Sequence, residues 1–330
     1  MADVARRAGV STATVSRALS GDRPMSEALR STVLEAANEL GYRVNLVGRM
    51  LRQRRSSTAG LIVPDLDNPF FSSLAQHLSR TFAPSGFDLL VFSADSDLDT
   101  ELRGVQSFID RQVDALILIP CDEIESEKSI TFASQSVVTI QLDRRVSATG
   151  AHFVGCNNQL GMHLIHEHVT HDVDTDAQPI IYVGGDPSSS SGHERLEGFR
   201  RYFGSERPEF IGSFDSSWGI QAADAILNRG YRAATVVVAA DVVALGVLTQ
   251  LQSRGFRVPD DFRVTGFDGV GVSHLAHPSL TTIRQPVESM SQKILEMVTR
   301  GLDEGTPAPE SVRLRPQLVM GESSPARPSH

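Results

Sequence analysis

ATVVVAADVVALGVLTQL, residues 234–251, joins an apolar run that closes on an aspartate to a stripe of apolar residues at helical spacing. Ala234 to Ala240 hold one hydroxyl, Thr235, and Asp241 ends the run. Beyond it, Ala244, Leu245, Leu248 and Leu251 recur three and four apart, on one face of a helix. A strand with one wet face alternates; a run without alternation is covered on both faces, as in a parallel sheet. The same unit repeats from residue 59 in AGLIVPD (59–65), FDLLVFSAD (87–95), VDALILIP (113–120), VVTIQLD (137–143), IIYVGGD (180–186) and FRVTGFDG (262–269). A second helical stripe, Phe71, Leu74, Ala75, Leu78 and Phe82, follows the first of these. Runs alternating with amphipathic helices predict an α/β, doubly wound parallel-sheet architecture.

Asp65, Asp95, Asp143, Asp186, Asp241 and Asp268 end these runs, and Asp215 ends the shorter FIGSFD. Ligands of open parallel sheets bind outside the carboxyl ends of the strands, and carboxylates delivered there suit a ligand rich in hydroxyl donors. Aspartate after a strand is also an ordinary cap for the next helix. Most of the seven are expected to cap, with two or three left for a ligand.

The chain has 330 residues, enough for two or three domains, with 40% hydrophobic and 22% charged residues, ordinary for a soluble protein. No apolar run reaches the ~20 residues of a membrane span, and the first residues lack the apolar core of a signal peptide. Cys121 and Cys156 have no metal-type spacing, so free thiols in a reducing cytoplasm are expected. The net charge of −9 is uneven: residues 1–57 hold ten arginines against five acids, +5, which leaves −14 for the rest. A basic head on an acidic body points to a polyanionic partner for the head.

That head predicts three short helices. Asp3–Ala8 has the small Ala5 and Ala8 where another helix can approach, Gly9 makes the turn, and Ser11 caps a helix from Thr12 to about Leu19 with Val15 and Leu19 inward. A third helix from Ser26, with Glu27 in its first turn, buries Leu29, Val33, Ala36, Ala37 and Leu40 and stops at Gly41. This is the helix-turn-helix pattern. Thr12, Ala13, Ser16 and Arg17 face outward. Arg17 can pair bidentately with guanine O6 and N7, and Thr12 and Ala13 can meet thymine methyls. Ser11, Thr14 and Ser16 suit phosphate oxygens, which set register. An ordinary helical hairpin with solvated hydroxyls has the same spacing.

DVARRAGVSTATVSRALSG (3–21) followed by MSEALRSTVLEAANELGYRVN (25–45) resembles, without a gap, the amino-terminal domain of the LacI/GalR family of bacterial transcription regulators. The resemblance makes Thr12, Ala13 and Arg17 the specificity positions. Met1-Ala2 stands where the family has further residues, including a capping threonine, so the first helix is expected to lack that cap or the start to be trimmed. YRVNLVGRMLRQRRSST (42–58) is similar to the family's hinge helix, with Asn45 as cap, Leu51 wedged between base pairs from the minor groove, and Arg49 and Arg52 on phosphates or the groove wall. Such a short helix is marginal alone and is expected to order on DNA beside its dimer mate. Val44 departs from the proline usual before the Asn.

GLIVPDLDNPFF, RLEGF, ALGVL, RGFRVPDD, VTGFDG and SLTTIRQP extend the resemblance over nearly the whole chain. It implies two similar lobes akin to periplasmic sugar-binding proteins, linked by three crossovers with an effector between them. The segments are then 1–44 for the DNA-binding domain, 45–58 for hinge and linker, 59–155 with 285–311 for one lobe, and 156–284 with 312–330 for the other. The implied effector contacts are Phe70, Phe71, Asp143, Asn157, Arg195, Phe214, Asp241, Asp268 and Gln285. Aromatic faces would pack on sugar CH groups while Arg195 and the carboxylates grip hydroxyls. Ala240 stands where the family often has Asn before the Asp, which points away from its simplest sugars.

Side signals add little. His163, His166, His168 and His171 share helix HLIHEHVTHD without a partner of metal-ligand type, so a solvated face is expected and no metal. DVDTDA (172–177) lacks the glycine and terminal glutamate of a calcium loop. SSSSG (188–192) reads as a flexible loop ahead of Arg195, and Trp218 as either core or a reporter near Phe214. No nucleophile–base pairing or phosphate-cradling motif appears, so neither enzyme nor cofactor is expected. The reading is a cytoplasmic DNA-binding regulator, a repressor by expectation, on near-palindromic double-stranded operator DNA under a small effector, carbohydrate or a derivative. GESSPARPSH at the end carries no heptads, so a homodimer without tetramer is expected. A periplasmic solute-binding protein shares the body's fold, and the basic head separates the two; a regulator answering to a non-sugar metabolite is the other alternative.

Overall fold

A computed structural model of the chain describes residues 1–20, 25–42, 55–147, 150–170, 178–305 and 308–325. It falls into two compact units, Met1–Ser56 and Ser57–His330. The hinge positions Asn45, Arg49, Leu51 and Arg52, and with them His171 and DVDTDA, lie outside the described residues.

The first unit holds α1 (Ala2–Ala8), α2 (Thr12–Ser20) and α3 (Glu27–Glu39). Gly9 turns the chain after α1 at φ 67, a conformation that costs glycine nothing. Ser11 Oγ accepts from Thr14 N over 3.1 Å, as its capping role requires. Met1 gives α1 no side-chain cap. Val4, Ala5, Val15, Ala18, Val33, Ala36 and Ala37 form the core. Leu40, expected inside, is 47% exposed, and Leu29 is only half-buried. The helix ends at Glu39, Gly41 takes φ 57, and the chain folds back so that Tyr42 packs on the core while its N–H reaches Ala37 O over 2.8 Å.

The second unit has two lobes of one topology. In the first, β1 (Thr58–Val63), β2 (Asp88–Ser93), β3 (Ala115–Leu118), β4 (Val138–Leu142), β5 (His152–Cys156) and β11 (Ser311–Leu314) form a parallel sheet in the order β11-β5-β4-β3-β1-β2. In the second, β6 (Ile180–Gly184), β7 (Glu209–Ile211), β8 (Ala234–Val238), β9 (Phe262–Asp268), β10 (Thr281–Arg284) and β12 (Gln317–Val319) follow the order β12-β10-β9-β8-β6-β7, with only β12 antiparallel. All the runs read as strands are strands. β5 escaped the reading because HFVGC is short and begins on a histidine. The chain crosses between lobes after β5, after β10 and after β11. The last crossing follows Leu314, three residues past the expected change at 311/312, because Ser311–Leu314 pairs along β5.

Continuous hydrophobicity is explained by coverage on both faces in the inner strands, whereas in the edge strand β2 Leu90 and Val91 stay 39% and 42% exposed. Leu61, Val63, Ile117 and Ile140 pack under α4 (Pro69–Phe82) and α11 (Val287–Glu304), while Ile62, Leu116 and Leu118 face α5 (Leu98–Asp110) and α6 (Glu127–Ser134). In the second lobe Ile181, Val183, Val236 and Val238 face α9 (Ser216–Asn228) and α10 (Asp241–Ser253); Ile180, Tyr182 and Val237 face α7 (Asn158–Thr170) and α8 (Ser190–Phe203). Each such fully buried side chain contributes ~1.5–3 kcal/mol. Where α9 meets α10, a Cβ on Gly219 would strike Val243 O and one on Gly246 would strike Ser216 O, so any side chain there would push the two helices apart.

Candidate functional site

On α2, Thr12, Ala13 and Arg17 are exposed and Thr14 and Ser16 half-buried, opposite the buried Val15 and Ala18. One helix face therefore presents the residues expected to read bases. Ser11 is also exposed, but its Oγ is engaged by Thr14 N and lies 2.9 Å from Thr14 Oγ1, so these two hydroxyls first hold the helix start.

In the body, the ends of both sheets converge on a buried polar cluster. Asn68 caps α4 by accepting from Phe70 N over 3.0 Å, and Pro69 fits the first turn, so Phe70 and Phe71 emerge just beyond β1. Phe71 faces the cluster, while Phe70 packs on it with ring centroids 5.4 Å apart inside the first core. Asp143 follows β4 at φ 60 and is 4% exposed. From the second lobe come Arg195 on α8, Phe214 before α9, Asp268 at the end of β9 and Gln285 after β10. Arg195 donates from Nε to Asn158 Oδ1 (3.0 Å) and from Nη1 to Ala239 O (2.8 Å), and Nη1 lies 3.3 Å from Asp268 Oδ1. Its guanidinium covers the Phe267 ring at 3.9 Å. Gln285 Nε2 donates to Asp268 Oδ1 over 2.9 Å.

Asp268 sits at φ 121, a backbone region costly for a side-chain-bearing residue. Burial pushes its carboxyl up to about 7, against the pull of Arg195 and with the push of Asp241. Burial likewise raises Asp143, against Arg195 and Arg144. For Arg195 burial works downward, but Asp268 and Asp143 hold it above its ordinary value.

Other expected contacts serve the frame. Asp241 is wholly buried, with Oδ2 accepting from Gly269 N, Val270 N (both 2.9 Å) and Ser273 Oγ (2.6 Å), and Oδ1 from Thr282 Oγ1 (2.5 Å). It staples the loop beyond β9, and Gly266 lets it approach, since a Cβ there would strike Oδ1. Asn157 caps α7, accepting from Leu160 N over 3.0 Å, and its own N–H meets Leu314 O, so it ties the first crossover to the third. Of the strand-end aspartates only Asp215 caps a helix, accepting from Trp218 N; Asp65 and Asp186 take the N–H two residues on. Capping falls instead to Asn68, Asp97 and Ser189, a few residues later, because loops intervene.

Two readings change, and for Trp218 the structure bears out the core alternative. Ser189 caps α8 and Ser190 and Ser191 form its buried first turn, so SSSSG is a docked helix start; Ser190 Oγ accepts from Arg145 N over 2.8 Å. His163 and His166 pack on Tyr202 (4.9 and 6.1 Å) and His166 on Phe203 (5.0 Å), which replaces the solvated face with a helix–helix contact. Trp218 donates from Nε1 to Gly184 O over 2.9 Å and packs on the second lobe's core. Among the described residues no group of three or more His, Cys, Asp or Glu side chains could hold a metal ion.

Two contributors were missed. Asn158, buried, bridges Arg195 to Glu194 (Nδ2 to Oε2, 2.8 Å); only geometry separates it from Asn157. Arg144, 8% exposed, lies between Phe71 and Phe214, its guanidinium carbon 5.4 Å from each ring centroid. Its signal was an arginine directly after a strand-end aspartate.

A helix-turn-helix unit and a two-lobed body with a polar site between its lobes define a ligand-regulated DNA-binding transcription regulator. Residues 1–45 match the model of bacterial regulatory proteins of the lacI family, and residues 169–324 that of a periplasmic binding protein-like domain. The HTH-type transcriptional regulator AscG of Escherichia coli is 30% identical over 322 residues, 94% of each chain. The lac repressor dimer bound to operator and the anti-inducer ONPF superposes with a TM-score of 0.84 at 26% identity, covering 98% of both chains. The regulator CelR in complex with cellobiose gives 0.71 at 25% identity, over 97% of this chain and 98% of that one. The chain belongs to the LacI/GalR family of bacterial transcription regulators. No helix among its described residues is long and apolar enough to cross a membrane.

Proposed function

We propose that this protein is a cytoplasmic repressor that binds a near-palindromic operator as a homodimer and changes operator affinity when a small, hydroxyl-rich effector enters the interlobe cleft. The observation that carries it is the buried Asp143, Arg195, Asp268 and Gln285 cluster, drawn from both lobes of a chain whose other unit is a helix-turn-helix. An effector bound there touches both lobes and so favours one lobe arrangement over another; only such differential binding can shift the equilibrium. Operator binding by the lac repressor dimer and cellobiose binding by CelR support the two halves of this reading. The cleft is assigned to binding and not to catalysis, in line with relatives that are regulators. Arg17, Thr12 and Ala13 read the operator half-site, and Asn45, Arg49, Leu51 and Arg52 extend the contact into the minor groove.

Selection from random duplexes followed by gel shift tests it. A palindromic consensus should emerge, with affinity falling steeply from 50 to 200 mM salt as phosphate contacts release counterions. Failure to enrich any duplex would sink the proposal.

A further inference from the structure

Buried guanidinium groups need partners, because an unpaired buried charge is costly. Arg195 satisfies this rule with Asn158, Ala239 O and Asp268. Arg144 does not. It is 8% exposed, its Nε has no hydrogen-bond partner, and no ion pair reaches it among the described residues. What holds it is the pair of phenyl rings, Phe71 from one lobe and Phe214 from the other, at 5.4 Å each. A guanidinium packed between rings leaves its edge, where all its N–H donors lie, for a planar or tetrahedral anion. The neighbouring Asp143 attracts Arg144 through space but makes no ion pair with it, is shared with Arg195, and leaves its Oδ1 without a partner. Gln285 Oε1, on a side chain 1% exposed, is likewise unpartnered. The site thus offers a guanidinium with no ion pair and two unpartnered acceptors.

We propose that the effector is an anionic carbohydrate, a sugar acid or a sugar phosphate, whose carboxylate or phosphate pairs with Arg144 between Phe71 and Phe214 while its hydroxyls donate to Asp143 and Gln285. This rests on the reading of the cleft as the effector site. A neutral sugar would satisfy the two acceptors and leave the arginine's charge unmatched. The anion answers both needs, and pairing at Arg144 draws the two lobes' rings onto the same ligand.

The test is calorimetry on the full chain with matched probes: glucose, gluconate and glucose 6-phosphate, then ribose and ribose 5-phosphate. In one series an anionic member should bind about tenfold or more tighter than its neutral partner, since a buried charge pair discriminates strongly. The carboxylate and phosphate arms distinguish the two sources of anion. Arg144→Gln should erase that advantage, so that the anionic and neutral members of a series bind within about twofold of each other. The ligand-free variant should melt no lower than the parent, because it sheds an unpaired buried charge; a merely structural arginine would lower the midpoint. Arg144→Lys, which keeps the charge and loses the fork, should retain part of the preference. Neutral sugars binding as tightly as the anions, or a preference that survives Arg144→Gln, overturns the anion assignment and leaves the effector cleft standing. Absence of binding by every probe counts against both.

Discussion

Arg195 on α8 holds Nη1 3.3 Å from Asp268 Oδ1, and both side chains are almost wholly buried. The pair is imperfect as a charge pair, because burial still pushes Asp268 up to about 7 from an ordinary 3.8. The fold therefore keeps a proton that the unfolded chain gives up, and this group's contribution to stability falls as pH rises from about 4 to about 7. Asp268→Asn should flatten that slope in urea midpoints measured at pH 5 and pH 7.5. A slope unchanged by the substitution would count against the assignment.

Asp241 is the acceptor for four donors on three segments. Asp241→Ala strands two backbone N–H groups and two buried hydroxyls, so the body should lose about 3–5 kcal/mol to urea unfolding. Asp241→Asn retains one acceptor and should lose less. Because this residue braces the site without reaching it, effector affinity of the folded fraction should change little. A large drop in affinity at full stability would place Asp241 in contact with the effector instead.

Arg17 lies exposed on α2. Arg17→Ala should relax selection at one base pair per half-site by about 1–3 kcal/mol while leaving the others sharp. Binding selection with parent and variant reads this directly. Uniform weakening across all positions would make Arg17 a phosphate contact.

Glu194 on α8 ties the lobes together. Arg313 of the first lobe donates to it from Nη1 (2.8 Å) and Nη2 (2.5 Å), Asn158 adds a bond, and Arg145 lies 3.9 Å away. Burial alone would raise its carboxyl, but Arg313, Asn158 and Arg145 hold it below its ordinary value. Glu194→Gln should cost this arrangement of the lobes about 1–2 kcal/mol. Small-angle scattering should then show a larger radius of gyration and calorimetry a weaker effector; identical scattering would mean the clamp is incidental.

The inner strands among β1–β4 and β6–β9 were legible because two-sided burial writes an unbroken apolar run, while the short β5, β10, β11 and β12 were not read as strands. The head was legible because α2 and α3 carry the 3.6-residue period. Legibility failed where residues serve a partner distant in sequence. Nothing local marks Leu40 as exposed, since Gly41 and the fold-back of Tyr42 decide it. Nor does SSSSG announce a helix start, because what docks it is distant in sequence: Ser190 Oγ accepts from Arg145 N of the other lobe.

The sequence by itself determined the fold class, the division into a basic head and an acidic two-lobed body, and the family. The fold class and the basic head follow from periodicity, glycine at turns and charge along the chain, and the two lobes and the family from the resemblance of its motifs, all local properties. Only the tertiary structure decided which polar residues work together. It turned Asp241 and Asn157 into braces, brought Arg195 to Asp268 across the second lobe, and set Arg144 between rings from two lobes. A carboxylate at a strand end looks the same in sequence whether its oxygens are spent on backbone N–H groups or left free. The difference lies in what the returning chain places beside it.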